Sequence, residues 1–363
     1  MQRRLMRRAL ALARRGLGRT APNPAVGCVI AQGSDVVGEG FHARAGEPHA
    51  ELVALRQAGD AARGAELYVT LEPCTHHGRT PPCTEAIVAA GTRRVVYATE
   101  DADPRTASRS GGVLRAAGVE VEAGLLGAEA RELNEGYFRH KATGRPFGLL
   151  KMAASLDGKT ATRAGQSQWI TGESARRQVQ RLRNWCEAVV VGVGTVLHDD
   201  PSLTCRLRGG RHPLRVIADS AARTPPGAKV VAAGPPGCLI ATTAQAPAGR
   251  RRRLEAAGAE VLVLPAERGR VSLAALWEEL GRRNVMTALI EGGGTLAAGA
   301  VAAGVVQKLA LFVAPLLIGG CEAPSVMDGE GCALLAEALP CRLHRTRRLG
   351  RDLLIEAYLC SPD

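Results

Sequence analysis

Apolar and polar residues alternate along this chain with two different periods, and the switches between them outline an α/β protein. Two-residue alternation and short runs rich in valine and isoleucine predict strands at residues 26–31, 36–41, 66–71 and 93–99. Three- and four-residue spacing predicts helices at 51–58 and 84–90, the second stopping at Gly91, and an amphipathic first helix built on Leu5, Ala9, Leu12 and Ala13. The pattern fades over residues 137–146, a basic, small-residue stretch closing on Pro146, which is the expected linker. It then restarts, with strands predicted at 147–155, 187–193, 214–219, 229–233, 238–243, 260–264, 287–292, 308–314 and 353–359. Helices are predicted at 173–185, 273–282 and 296–303. Such alternation implies a largely parallel sheet with helices on both faces. Two domains are therefore expected, at 1–145 and 146–363, as a length of 363 residues also favours.

Composition narrows the partners. The most apolar tail segment, 308–317, is half the roughly 20 residues that a membrane crossing needs, so no membrane partner is expected. The basic start is that of a signal peptide, but Arg14 and Arg15 interrupt the apolar run and no small-residue cleavage site follows. Ten cysteines without a secretory pattern fit reduced thiols and metal ligands, hence a cytoplasmic enzyme. A formal charge of +12 favours anionic partners. Aromatic residues are only 3%, which is poor material for stacking on bases, so phosphorylated metabolites are preferred and no nucleic-acid partner is expected.

The sharpest chemical signal is His49-Ala50-Glu51 followed by Pro73-Cys74 and, nine positions on, Cys83. One imidazole and two thiolates suit zinc, one ion per chain, and three protein ligands leave a fourth position open for water. Water held by zinc has its pKa lowered from about 15.7 towards about 7. Two residues beyond His49 at a helix start, Glu51 is placed to carry a proton without being a ligand. This is the arrangement of zinc nucleobase deaminases, H-x-E with a downstream P-C-x-x-C. Here eight residues, not two, separate the cysteines.

That longer string, residues 73–83, resembles the deaminase half of the bifunctional riboflavin-biosynthesis deaminase/reductases. His76 and His77 are competing ligands, but the resemblance assigns the metal to His49, Cys74 and Cys83, leaves those two as pocket or substrate-contacting residues, and makes Asn23, in the Pro22-Asn23-Pro24 turn, a substrate contact. Ala25 stands where many relatives have a polar residue, and the stretch 107–112 departs from the family's more regular glycine-bearing loop.

In the second half no G-x-G-x-x-G follows a strand, so the ordinary dinucleotide fingerprint is absent. Gly292-Gly293-Gly294 lies between a predicted strand and helix, where glycines and free N–H groups favour phosphate; alone, this fits an ordinary loop as well as a cofactor cradle. Residues 151–159, 167–171 and 192–201 are similar, in order and spacing, to the reductase half of the same family. The resemblance thus spans about residues 1–360. It implies a cytidine-deaminase-like α/β/α domain followed by a dihydrofolate-reductase-like α/β domain.

By that resemblance Ala153, Trp169, Thr195, Asp199, Ser220, Gly293, Gly294, Thr295, Leu296 and Gly299 would hold NADPH. Lys151, Ser167, Arg183, Leu203, Arg206 and Glu291 would hold the substrate, a small phosphorylated pyrimidine. Read as bare residues, Trp169 and Leu203 fit a core equally well, and Arg183 a solvated helix face. The implied chemistry is deamination of 2,5-diamino-6-ribosylamino-4(3H)-pyrimidinone 5′-phosphate and then reduction of its ribosyl group, in a homo-oligomer. The alternative is a transfer-RNA or other nucleic-acid deaminase with a C-terminal binding domain. That reading accounts for the charge but not for the cysteine spacing.

Overall fold

The computed structural model describes residues 1–77 and 81–359. The chain divides into two compact units, Met1–Gly144 and Arg145–Asp363. In each, a sheet is covered on both faces, because successive strand residues point to opposite sides and both sides are apolar.

Unit 1 runs α1 (Gln2–Ala13), β1 (Gly27–Gln32), β2 (Asp35–Phe41), α2 (Ala50–Ala58), β3 (Glu66–Val69), α3 (Cys83–Ala89), β4 (Arg94–Tyr97), α4 (Ser110–Ala116), β5 (Glu120–Ala123), α5 (Gly127–Leu133) and α6 (Glu135–Thr143). The sheet order is β2-β1-β3-β4-β5, with β1 antiparallel to both neighbours and β3, β4 and β5 parallel. Cys28, Ile30, Leu67 and Val95 face a core shared with Ala50, Ala54, Ile87 and Leu114. Val29, Ala31, Tyr68 and Val96 face the other way, onto Leu5, Met6 and Ala9 of α1. Glycine sets the approach of α2: a Cβ at Gly40 would collide with the Ala50 carbonyl, so β2 and the start of α2 lie close together.

Unit 2 runs β6 (Phe147–Ser155), α7 (Glu173–Trp185), β7 (Ala188–Gly192), α8 (Val193–Asp199), β8 (Leu214–Ala218), α9 (Lys229–Ala232), β9 (Cys238–Thr243), α10 (Ala248–Ala256), β10 (Glu260–Leu264), β11 (Ala266–Glu267), β12 (Arg270–Val271), α11 (Leu273–Arg282), β13 (Thr287–Ile290), α12 (Gly294–Ala302), β14 (Lys308–Ala314), β15 (Cys341–Leu349) and β16 (Asp352–Leu359). The nine-stranded sheet has the order β10-β9-β8-β7-β13-β6-β14-β16-β15. It is parallel from β10 through β14, and the last two strands are antiparallel additions.

Two expectations are corrected. The stretch expected as a linker is mostly helix: α6 reaches Thr143, and Tyr137 is buried and donates a 2.6 Å hydrogen bond to Asp101. Residues 229–233, read as a strand from their paired valines, form the one-turn helix α9. Parallel β8 and β9 need a crossover between them, and α9 lies in it, with Val230 and Val231 turned into the core.

Candidate active sites

In unit 1 the three ligand candidates come from two helix starts and a loop. His49 precedes α2, Cys83 opens α3 and is fully buried, and Cys74 lies in the segment after β3. His49 Nδ1 is 3.3 Å from Cys83 Sγ and 3.6 Å from Cys74 Sγ, and all three ligand atoms lie within 4.8 Å of one another. Tetrahedral zinc, with bonds of about 2.0–2.1 Å to nitrogen and about 2.3 Å to sulfur, spaces its ligand atoms roughly 3.5–3.8 Å apart. The donor set therefore fits zinc in both chemistry and spacing. The middle of the signature string, Gly78, Arg79 and Thr80, lies outside the described residues.

Electrostatics prepare the sulfurs. Hydrogen bonds from Cys83 and from His49 outweigh burial and hold the Cys74 thiol down at about 4. The Cys83 backbone N–H also donates to Cys74 Sγ at 3.2 Å. Cys83 is pushed up by its bond to Cys74 and by burial, so Cys74 gives up its proton readily while Cys83 holds on to its own. Glu51 is 3% exposed, and its Oε2 is a buried acceptor with no partner among the described residues. Burial raises its pKa against the pull of His49.

Around this centre, Asn23 Nδ2 is 3.1 Å from His42 Nε2, and His42 sets its ring edge-on to His49 at 5.4 Å. His76 is turned away to Thr106, at 3.1 Å, and His77 pairs with Glu85 at 3.7 Å. Sequence reasoning missed the supports. Buried Glu72 accepts from the backbone N–H groups of Asp101, Ser108 and Ser110, which pins the departing stretch 107–112. Asn134 holds both backbone polar groups of Ala25 from more than a hundred residues away. Neither residue sits in a motif, so spacing carried no signal for them.

In unit 2 the expected substrate residues divide. Arg183 on α7 clamps Glu291, just past β13, through two hydrogen bonds of 2.8 Å; the glutamate is buried and the arginine side chain is 11% exposed. Burial alone would raise the Glu291 pKa, but Arg183 brings it below the ordinary value. Lys151 on β6 has its pKa lowered by burial, Arg183 adding to the effect and Glu291 opposing it, and its Nζ lies 5.9 Å from the Phe312 ring centre. Leu203 is packed in the core with φ +53, so any ligand contact it makes comes from its backbone. Arg206 is exposed, its N–H bound to Gln180, and Ser167 is half-buried.

Most of the expected cofactor residues follow the C-terminal ends of parallel strands: Trp169 after β6, Thr195 and Asp199 in α8 after β7, Ser220 after β8, and Gly293, Gly294, Thr295, Leu296 and Gly299 after β13. Gly292 has φ +127, and a Cβ there would lie 2.9 Å from Thr195 Oγ1, so the glycine turn and α8 touch. Gly293 caps α12, and Gly294, Thr295 and Leu296 form its first turn. The supposed turn reaching Gly299 is in fact helix, and Gly299 lies in its sixth position. Asp328 lies against Gly294, and Thr295 donates to its carboxylate at 3.4 Å. Trp169 is 60% exposed with Arg176 stacked on it at 4.8 Å, so it is not a core residue. Asp199 is exposed at the end of α8, Ala153 is half-buried on β6, and Ser220 accepts from Val271 N–H at 2.9 Å.

Comparison with known proteins agrees with this division. Residues 1–99 match the cytidine and deoxycytidylate deaminase zinc-binding region, and residues 146–355 match the RibD C-terminal domain. The riboflavin biosynthesis protein RibD of Actinobacillus pleuropneumoniae is 41% identical over 357 residues, covering 98% of this chain and 95% of that one. A RibD structure from Acinetobacter baumannii superposes with a TM-score of 0.88 at 38% identity, covering 99% of both chains. A Thermotoga maritima structure, described as a diaminohydroxyphosphoribosylaminopyrimidine deaminase/5-amino-6-(5-phosphoribosylamino)uracil reductase, gives 0.87 at 33% identity, also over 99% of both. The half that a nucleic-acid deaminase would use to bind RNA matches the RibD C-terminal domain instead, so that alternative is not favoured. A zinc-binding deaminase domain and a reductase domain imply zinc and a nicotinamide cofactor. The chain belongs to the RibD family, the bifunctional deaminase/reductases of riboflavin biosynthesis.

Proposed function

We propose that unit 1 hydrolytically deaminates 2,5-diamino-6-ribosylamino-4(3H)-pyrimidinone 5′-phosphate, and that unit 2 then reduces the ribosyl group of the product to ribityl with NADPH. The observation that carries the first step is the His49, Cys74 and Cys83 cluster beside a buried carboxylate, one oxygen of which has no partner among the described residues. Those three residues would hold the zinc, whose Lewis acidity makes water nucleophilic near neutral pH. Glu51 accepts a proton at its free Oε2 and returns it to the departing amine, so that ammonia leaves neutral. Asn23, steadied by His42, orients the pyrimidine through its amide.

For the second step, NADPH supplies hydride. Lys151 and the clamped Glu291 face the sugar, the glutamate with its charge fixed and the lysine with an ammonium that burial makes easier to deprotonate. Arg206 and Ser167 receive the ribose phosphate, Arg183 keeps Glu291 in place, and Leu203 contributes its backbone. Ala153, Trp169, Thr195, Asp199, Ser220, Gly293, Gly294, Thr295, Leu296 and Gly299 form the cofactor side. The nine cysteines of the described residues are all free, which supports a reducing, cytoplasmic setting. No helix among the described residues is long and apolar enough to cross a membrane. Leu343, 72% exposed on the outer strand β15, supports assembly into a homo-oligomer.

The test is a single-turnover mixture of protein, the defined pyrimidine and NADPH. One equivalent of ammonia should appear before one equivalent of NADPH is oxidised. NADPH oxidation without ammonia would overturn the order and the substrate together.

A further inference from the structure

An open groove of ≈ 480 Å³ lies at the C-terminal edge of β8 and β9, lined by Leu197, Arg223, Pro225, Arg250 and Arg253. In open parallel sheets this edge is where ligands bind. Its three arginines are exposed, and among the described residues none is paired with a carboxylate. Three unneutralised guanidinium groups around one concavity repel one another unless an anion joins them, so the groove is built for a strongly charged, oxygen-rich group.

The backbone beneath the groove is fixed. Buried Asp219, just past β8, accepts from both the N–H and the hydroxyl of Thr224, at 2.7 and 2.8 Å. Between them the turn passes through Ala222 in the left-handed region at φ +51, which aims Arg223 from a rigid base. Arg250, in the first turn of α10, donates to Ala221 of the same turn at 3.4 Å, and Arg253 stands one helical turn further on. Ser220, on the proposed cofactor side, belongs to this turn as well; its carbonyl accepts the hydroxyls of Thr242 and Thr243. Leu197 and the Pro225-Pro226 pair supply an apolar wall suited to the face of a purine.

We infer that Arg223, Arg250 and Arg253 form the subsite for the 2′-phosphate of the nicotinamide dinucleotide, and that they set the preference for the phosphorylated over the unphosphorylated cofactor. The inference rests on the reading that unit 2 binds the cofactor at this sheet edge. A 2′-phosphate carries close to two negative charges and three acceptor oxygens, which matches guanidinium forks converging from a loop and a helix. NAD has no group for the three cations, so binding it leaves their mutual repulsion in place.

The test is calorimetric binding of NADP⁺, NAD⁺, 2′-AMP and 5′-AMP to the full-length protein and to R223A, R250A and the double variant. Each removed arginine should weaken NADP⁺ and 2′-AMP by about tenfold, and the double variant by about a hundredfold, with NAD⁺ and 5′-AMP unchanged. The charge-conserving R223K and R250K variants should fall in between, because a lysine keeps the charge and loses the fork. Tryptophan fluorescence on heating checks that the variants remain folded, since Trp169, Trp185 and Trp277 all lie in unit 2. Equal losses for NADP⁺ and NAD⁺, or none for either, would overturn the subsite. A wild-type protein that binds NADP⁺ and NAD⁺ equally would overturn the subsite alone. One that binds neither would overturn the reading of unit 2 and the subsite with it.

Discussion

Each unit buries one glutamate at its site, and the two are treated in opposite ways. Glu51 in unit 1 has an oxygen with no partner among the described residues, and burial lifts its pKa. Glu291 in unit 2 is locked by two bonds from Arg183, and its pKa is depressed. A carboxylate whose charged form is destabilised takes up a proton more readily, whereas one clamped by a guanidinium keeps its charge and offers only geometry. The proposed function uses this difference: Glu51 as the proton carrier where a water is to be activated, and Glu291 as a fixed acceptor where a hydride is to be delivered to an oriented sugar.

The largest effect that would sharpen this contrast is loss of the metal. Cys83→Ala removes a fully buried member of the proposed zinc set, so zinc content by elemental analysis should fall below one equivalent and ammonia release should drop to background. Reduction of separately supplied deaminated substrate should be unchanged. If both activities fall together, the two sites are not independent.

Next comes the clamp. Glu291→Gln leaves Arg183 buried without its counter-charge, an expected cost of about 3–5 kcal/mol in denaturant unfolding followed by tryptophan fluorescence. The pH dependence follows in sign. Because the folded-state pKa of Glu291 lies below its ordinary value, its stabilisation is complete above that ordinary value and is lost as pH falls through the folded one. Wild-type unit 2 should weaken on this acid limb, and Glu291→Gln should lack it. A variant with the same limb would assign the acid sensitivity to other groups.

A smaller effect is expected at the glycine turn. Gly292→Ala would force a left-handed backbone on a residue with a Cβ and press that carbon against Thr195 Oγ1. The expected loss is on the order of 1–3 kcal/mol, with weakened binding of the nicotinamide cofactor and undisturbed ammonia release. Full cofactor affinity would separate the glycine turn from the cofactor site.

The two sites also differ in how far they could be read in advance. The zinc cluster was legible because its residues are few, chemically distinctive and confined to residues 49–83, at the starts of α2 and α3 and in the segment after β3. Its supports were not, because Glu72, Asn134 and Tyr137 act through hydrogen bonds to residues distant in sequence, which leave no periodic trace. In unit 2, α7 and α11 have the residue limits expected from their apolar spacing. The paired valines of α9 resembled a strand only because a single helical turn is too short to display a period. The outer strand β15 was missed for the opposite reason: Cys341–Leu349 carries four arginines and little apolar alternation, as an exposed edge does not require it. Arg183, read as a residue of either a site or a helix surface, turns inward to a carboxylate 108 positions away, a pairing that local spacing cannot show.

The central claim is that the two chemistries run on separate buried glutamates, and the most direct measurement is a paired assay of ammonia release and NADPH oxidation on Glu51→Gln. Ammonia release should fall by about 10²–10⁴-fold with zinc retained, while deaminated substrate is reduced at the wild-type rate. Undiminished ammonia release, or an equal collapse of reduction in a protein that is still folded, would contradict it.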